Sequence, residues 1–298
     1  MVGQAGNAPP QSAPGLEAEQ AGDAPPHSVP GLDERRQLER WALWDFVEGF
    51  RLRAMWGRQS WNEVRRRYRR TLLGPSRVTV SLLIFAIAMS FIWASLFKMN
   101  VREFLPFLLS GLLTWGLISG SIGESCTVFL GGEGLMKSRQ FPYSTLIYVV
   151  LARNTVIFGH NLTAYVLVAA LCGIEFGWPM LMMLPGGVLL LINCGWICVI
   201  VATFCLRVRD FPQLVTSLLQ ISMFVTPVFW SASQLQGKRA VIVHFNVLHH
   251  MIEIVREPLL GKMPALLSYM VCVGTAVVGW VFAYWLFARK RHRLAYWF

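Results

Sequence analysis

NEVRRRYRRTLLGP (Asn62–Pro75) carries five arginines in six positions, and VTVSLLIFAIAMSFIWASLF (Val78–Phe97) follows it with no charge at all. The second stretch decides the fold. At 1.5 Å per residue, roughly 20 helical residues cross a bilayer core about 30 Å thick, and this run has that length. The first stretch leaves a choice, because nucleic acid, an anionic membrane surface or a protein partner would each suit so dense a positive charge.

The apolar character extends along the whole chain. Of 298 residues 55% are hydrophobic and 14% charged, with a mean hydropathy of +0.48. Soluble domains carry about 25% charged residues. Further runs of spanning length lie at Phe104–Ile122, within Thr155–Ile174, and at Pro185–Leu206, Phe211–Trp230 and Ala265–Ala288. The expectation is an all-α membrane protein with six transmembrane helices. Lysine and arginine set its orientation. From Arg51 onward, eighteen lie before the first span, in alternate loops and after the sixth, against six in the opposite loops: Lys98, Arg102, Lys238, Arg239, Arg256 and Lys262. Both termini are therefore expected on the cytoplasmic side, which an even number of spans satisfies. The net charge of +11 then belongs to membrane orientation, and nucleic acid drops out as a partner.

Residues 1–40 differ in kind. AGNAPPQSAPGLE (Ala5–Glu17) recurs as AGDAPPHSVPGLD (Ala21–Asp33), too short and too poor in large apolar residues to build a solenoid. A disordered Pro/Gly/Ala-rich tail is expected there, without the pattern of a secretory signal. Residues 41–77 read as an amphipathic helical region. Trp41, Trp44 and Val47 recur by threes, and Trp61, Val64, Tyr68 and Leu72 form a stripe among the arginines. Ser60-Trp61-Asn62-Glu63 fits a capping box, which places a helix start at Ser60. Tryptophans on one side and arginines on the other describe a helix in the membrane interface; a core helix of a small soluble domain is the alternative. Residues 78–298 form the transmembrane domain. Ser231–Pro264 is half apolar with helical spacing yet too short and too charged for two spans, so a pair of short re-entrant helices is expected between spans five and six.

Catalytic motifs are missing. Gly237-Lys238 and Gly261-Lys262 lack the remainder of a phosphate-binding loop, and GGEGLMKS (Gly131–Ser138) matches one only in composition. The four aspartates lie outside the spans, so a carboxylate pair or an Asp-x-Asp metal cluster for glycosyl transfer is not available. His160 is the one ionisable candidate for coupled transport, and His160-Asn161 also fits a helix-to-helix hydrogen-bonding pair. His244, His249 and His250 have no carboxylate or cysteine at ligand spacing, and the six cysteines sit in or beside apolar runs as small hydrophobes. No metal site and no enzyme activity are expected in this chain.

RYRRTLLGP (Arg67–Pro75) resembles the segment before the first span in the membrane subunits of ABC-2-type polysaccharide exporters. Six further matches occur in order: FLLSGLLTW (Phe107–Trp115), LMKSRQFP (Leu135–Pro142), His160-Asn161, RVRDFPQLV (Arg207–Val215) with TPVFW (Thr226–Trp230), HFNVLHHMIEIVREPLLG (His244–Gly261) and the closing RHRLAYWF. The resemblance covers about residues 41–298. Ser76 stands where the family has an aromatic residue, and Val247 where it has a proline. The resemblance implies a permease in the bacterial inner membrane, a homodimer with two separate ATPase subunits that hold ATP and Mg. Its cargo would be a lipid-linked or free polysaccharide of O-antigen, capsule or teichoic-acid type, and the closing motif favours O-antigen. It makes Glu133, Leu135, Lys137 and Arg139 the ATPase-coupling segment. Arg65, Arg66, Arg67, Arg69 and Arg70 would meet lipid headgroups or a substrate's pyrophosphate, and anionic lipid attracts such residues by about 1 kcal/mol each. Trp93, Trp115, Phe224 and Trp230 are candidates to line a sugar channel, because sugar rings stack on aromatic faces. An ABC-2 exporter of drugs or small lipids, and an ATP-independent carrier or flippase using His160, are the other readings.

Overall fold

The computed structural model describes residues 32–69, 76–136, 141–231 and 243–294, and every regular element among them is a helix. In chain order these are α1 (Leu32–Arg51), α2 (Arg53–Arg69), α3 (Ser76–Phe97), α4 (Val101–Gly131) and the single turn α5 (Glu133–Met136). Then come α6 (Ser144–Cys172), a 3-10 turn (Trp178–Met182) running into α7 (Met183–Arg207), α8 (Phe211–Val225), α9 (Val247–Leu259) and α10 (Leu266–Leu294).

Five of these are long and apolar enough to cross a membrane: α3, α4, α6, α7 with its 3-10 lead, and α10. The expected fifth span, Phe211–Trp230, is not one helix. α8 stops after 15 residues, about 22 Å, because Pro227 disfavours helical backbone at Thr226, which is extended at φ −81° and ψ 141°. Where a pair of short re-entrant helices was expected, the described residues hold one short helix, α9; residues 232–242 lie outside the described residues.

α4 is the central helix. Its apolar window is 72% buried against 17% for α3, and it packs on α3, α6, α7, α8 and α9. Its sequence from Phe104 to Ile122 is apolar or small on all faces, as suits a helix surrounded by others. α7 and α10 interlock through reciprocal glycines. A Cβ on Gly195 would lie 2.9 Å from the Trp280 ring, and one on Gly279 would lie 2.3 Å from Trp196. Without bulk at these positions the two tryptophans fill each other's opposing gap.

At the end of the bundle where α8 stops, α9 is folded back into the protein. Asn246 caps it by accepting from the Leu248 and His249 amides at 3.0 and 3.4 Å, and its own amide donates to Thr226 at 3.1 Å. Tyr165 of α6 donates to the Leu259 carbonyl at 2.6 Å, closing the other end. Gly186 of α7 lets the Ile254 backbone approach, since a Cβ there would meet its carbonyl oxygen at 2.2 Å. Arg256 is 2% exposed, donates to the Pro227 carbonyl at 2.6 Å and stands 4.5 Å from the centre of the Phe107 ring. Its Nε has no partner. This buried arginine pins the turn after α8 against α4.

The amphipathic region forms two helices with a break at Leu52, and α2 continues through Ser60. The expected capping box is therefore absent: Ser60 Oγ donates back to the Gly57 carbonyl at 2.9 Å, and Glu63 is engaged by α6 instead. α1 also begins at Leu32, within the segment expected as tail, where Leu32–Arg40 is made largely of good helix formers. Residues 1–31 lie outside the described residues.

α1 is fastened by Asp45, which is fully buried. The start of α6 has no capping side chain of its own, and Asp45 supplies one from α1. Its carboxylate accepts from the Tyr143 and Ser144 amides at 3.0 and 2.8 Å and from Arg291 Nε at 2.7 Å. Ser144 Oγ donates to the Asp45 carbonyl at 2.7 Å, and a Cβ on Gly49 would collide with that hydroxyl. One carboxylate thus joins α1, α6 and α10.

Asp45→Ala leaves Arg291 and two amides without their acceptor and is expected to cost about 3–5 kcal/mol, read as a lowered unfolding temperature of the purified chain. Asp45→Asn should cost less. Arg256→Met, which removes a buried charge while keeping bulk, should stay within about 1 kcal/mol of the parent, whereas Arg256→Ala should lose about 2–5 kcal/mol.

Candidate functional site

α4 has 31 residues and is about 46 Å long, so it outreaches a bilayer core by several turns. Glu124 stands in its last two turns and collects partners from two other helices. Arg67 of α2 donates to Glu124 Oε1 at 2.9 Å. Arg153 of α6 donates through Nε and Nη2 to Oε2 at 2.9 and 2.5 Å, and Asn154 adds a bond at 2.8 Å. The remaining Arg153 nitrogen pairs with Glu63 of α2. Two carboxylates therefore meet two guanidiniums, a balanced cluster with 15–23% exposure for Glu63, Glu124 and Arg153 and 52% for Arg67. Gly120, one turn back, makes the approach possible, because a Cβ there would meet Asn154 Oδ1 at 2.5 Å.

α5 follows directly after Gly132. Met136 is buried and its carbonyl accepts from Tyr143 Oη at 3.1 Å, whereas Glu133 and Leu135 are exposed. Tyr143 is also the residue whose amide Asp45 holds. The tip of α4 is thereby joined to α6 and α1 through one tyrosine. Of the expected coupling residues, Glu133 and Leu135 stand on this tip; Lys137 and Arg139 lie outside the described residues.

The arginine-rich stretch divides by face. Arg67 turns towards α4, and Arg65 and Arg66 are exposed. The Arg69 side chain and Arg70 lie outside the described residues. Trp41, Val47, Phe50 and Trp61 are each half exposed or more on α1 and α2.

Three of the four candidate channel aromatics come together around Phe229, a residue that composition gave no reason to single out. Phe229 is 6.1 Å from Trp93, 5.7 Å from Phe224 and 6.5 Å from Phe85, measured between ring centres. Trp230 donates to the Phe224 carbonyl at 3.1 Å. Phe224 is exposed, and Trp93 and Trp230 are half-buried. Trp115 is apart from them, 5% exposed in the core around α4. The signal in the sequence was Pro227, whose turn brings Phe229 back beside Phe224 and against α3.

Asn161 accepts from Thr79 of α3 at 2.8 Å, an interhelical bond of the kind its position suggested. The His250 ring is held by hydrogen bonds to Ser268 and to the His244 carbonyl, each at 2.9 Å. Burial, followed by the charges of His250, Arg256 and His244, pushes His249 down to about 3, so its 3.5 Å contact with Glu253 is not an ion pair. Burial and the Glu257 charge raise Glu253. Among the described residues no group of three His, Cys, Asp or Glu is placed to hold a metal.

The profile of the ABC-2 type transporter family matches residues 57–260, which takes in α3 to α9 and both the Glu124 cluster and the Arg256 pin. Three curated relatives are each named O-antigen export system permease protein RfbA. One, from Klebsiella pneumoniae, is 22% identical over 194 residues, covering 62% of this chain and 72% of the relative. Another, from Myxococcus xanthus, is 25% identical over 182 residues, covering 60% and 68%. A further Klebsiella pneumoniae protein is 24% identical over 196 residues, covering 64% and 74%. With five helices able to cross a bilayer among the described residues and a family match over most of its length, this multi-pass membrane protein belongs to the ABC-2 type transporter family.

Proposed function

We propose that the chain is the membrane subunit of an ATP-driven exporter that moves a lipid-linked or free polysaccharide of O-antigen type across the bacterial inner membrane. Two copies form the conduit, and two separate ATPase subunits holding ATP and Mg dock beneath. The observation that carries this reading is the joint of α4 and α5. An exposed turn with Glu133 and Leu135 sits on the end of the central helix, and Glu124 ties that end to α2 and α6. A force applied to α5 enters α4 and cannot move it without moving the Glu124 cluster.

The six-crossing topology, with both termini cytoplasmic, is also part of the proposal. α8 is the short crossing. The Arg256–Pro227 and Tyr165–Leu259 bonds gather the ends of α6, α8 and α9 near the start of α4. The opposite end collects α1, α2, α5, the start of α6 and the end of α10. Alternation between these ends is consistent with an even number of crossings. The dimer draws support from α8, where Gln213, Thr216 and Gln220 are exposed at helical spacing beside Leu218 and Phe224. A polar stripe of this kind is disfavoured against lipid and fits a partner copy or a wet conduit. The Phe229 cluster offers the sugar rings their stacking surface.

Leu135→Glu is expected to abolish co-purification of the ATPase with the chain while leaving the chain's own unfolding temperature unchanged. Glu124→Gln should retain the ATPase yet lower polymer export about tenfold or more, because it weakens charge-assisted bonds from two helices. Undiminished export in Glu124→Gln would contradict the role given to the cluster. Native complexes whose bound lipid contains no sugar would contradict the cargo.

A further inference from the structure

Glu253 of α9 has no part in the Glu124 cluster or in the bond by which Arg256 holds the turn after α8. Its side chain is 22% exposed, and its two oxygens face different groups. Oε1 lies 3.5 Å from His249 Nε2, one turn back on the same helix, and Oε2 lies 3.4 Å from Ser268 Oγ in the first turn of α10. Ser268 is 1% exposed, and its hydroxyl also meets His250 Nδ1 at 2.9 Å. The other nitrogen of that ring, Nε2, is 2.9 Å from the His244 carbonyl. A chain of polar groups, from Glu253 through Ser268 and His250 to the His244 carbonyl, therefore bridges α9 and α10.

Donor and acceptor roles along this chain follow from its fixed end. A carbonyl only accepts, so His250 Nε2 carries a hydrogen. In the neutral ring Nδ1 is then an acceptor, and Ser268 gives it its one hydroxyl hydrogen. Ser268 has none left for Glu253, so an ionised Oε2 faces lone pairs across 3.4 Å. A protonated Oε2 instead donates to Ser268 and completes the chain. The same proton can sit on His250 Nδ1, in which case Ser268 donates to the carboxylate; either arrangement satisfies every group. His249 does not compete for this proton. Its Nδ1 is buried without a partner, so a hydrogen there would be an unmet donor, and we assign the ring hydrogen to Nε2, facing Oε1.

We propose that Glu253, Ser268 and His250 share one proton that latches α9 to α10, and that losing it on the alkaline side loosens α9. The fastenings at the ends of α9 run from Asn246 to Thr226, from Tyr165 to the Leu259 carbonyl and from Arg256 to the Pro227 carbonyl. None of them uses a carboxyl group, so loss of the proton acts on the α10 side. The charges around Glu253 are those of Glu257, Arg256 and His250. α10 adds Ser268 and Tyr269, and the Tyr269 hydroxyl is spent on the Met182 carbonyl of the 3-10 turn at 3.1 Å. α4 meets α9 through Phe107 and Gly111 beside Arg256, and α7 meets it through Gly186. Burial first, then the Glu257 charge, push Glu253 above the ordinary carboxylate range, against Arg256, His250 and the Ser268 bond. Between its unfolded and folded values the native chain therefore binds more protons than the unfolded one. Stability is gained as the pH falls through the folded value and lost as it rises.

The test uses the purified full chain in lipid nanodiscs and needs no transport assay. Hydrogen exchange of residues 247–259, corrected for the intrinsic rate, should lose about tenfold or more of its protection as the pH rises through the titration. Glu253→Gln, whose amide donates to Ser268 at every pH, should keep the acid-side protection throughout. Ser268→Ala should show the parent's alkaline-side protection at every pH; if it folds poorly, Glu253→Gln decides alone. Glu257→Gln removes a repelling charge and should move the midpoint to lower pH without changing the amplitude. Difference infrared spectra over the same titration should show the C=O band of a protonated carboxyl vanishing as the pH rises, and the band should be absent from Glu253→Gln. An imidazolium band in its place would put the shared proton on His250 and supports the same latch. Equal pH dependence of protection in the parent and in Glu253→Gln would overturn the proposal, as would protection in the parent that does not change with pH.

Discussion

The Glu124 carboxylate is the contact on which the rest of the arrangement depends. It is held by two arginines and an asparagine from two different helices, near the end of the one helix that touches most of the others. Partly buried ion clusters of this kind add little net stability, but removing one member leaves charges uncompensated and is costly. The cluster therefore fixes the relative positions of α2, α4 and α6 more than it strengthens the bundle. Those three helices carry the arginine-rich stretch, the α5 turn and the Asp45-capped start of α6.

Asp45 plays a matching part for α1. A helix outside the membrane-crossing set has no covalent reason to keep a fixed angle to it. Here one carboxylate fills the empty cap of α6 and meets Arg291 from the last helix, so the first and last elements are joined through the start of a middle one. Arg291 is at the same time within 4.8 Å of the Tyr143 ring centre, and Tyr143 bonds to Met136 at the end of α5. α1 and the α5 turn thus share a common anchor. Arg256 makes the corresponding contact at the far end, where it holds the turn that ends α8.

Much of this fold was legible in the sequence. Runs of apolar residues located five of the spans, since hydropathy and length are all that a bilayer demands. The remaining one, the expected fifth, was overextended because Pro227 ends the helix inside an apolar run, a stop that hydropathy does not register. Ser60 and Glu63 have the spacing of a capping box, but tertiary contact took Glu63 into the cluster with Arg153, and the helix ran through. The site was less legible for a related reason. Asp45, Glu124 and Arg153 are single charges separated by about 30 to 100 residues, and only folding brings them to their partners. The five arginines looked equivalent in sequence; the helix places Arg67 on one face and Arg65 and Arg66 on another.

The account is most directly tested with inside-out vesicles containing the chain and its ATPase. Uptake of the native lipid-linked polymer should require ATP and should stop when the ATPase loses its catalytic glutamate, even with a proton gradient imposed. Uptake driven by the gradient alone, with the ATPase inactive or absent, would contradict it.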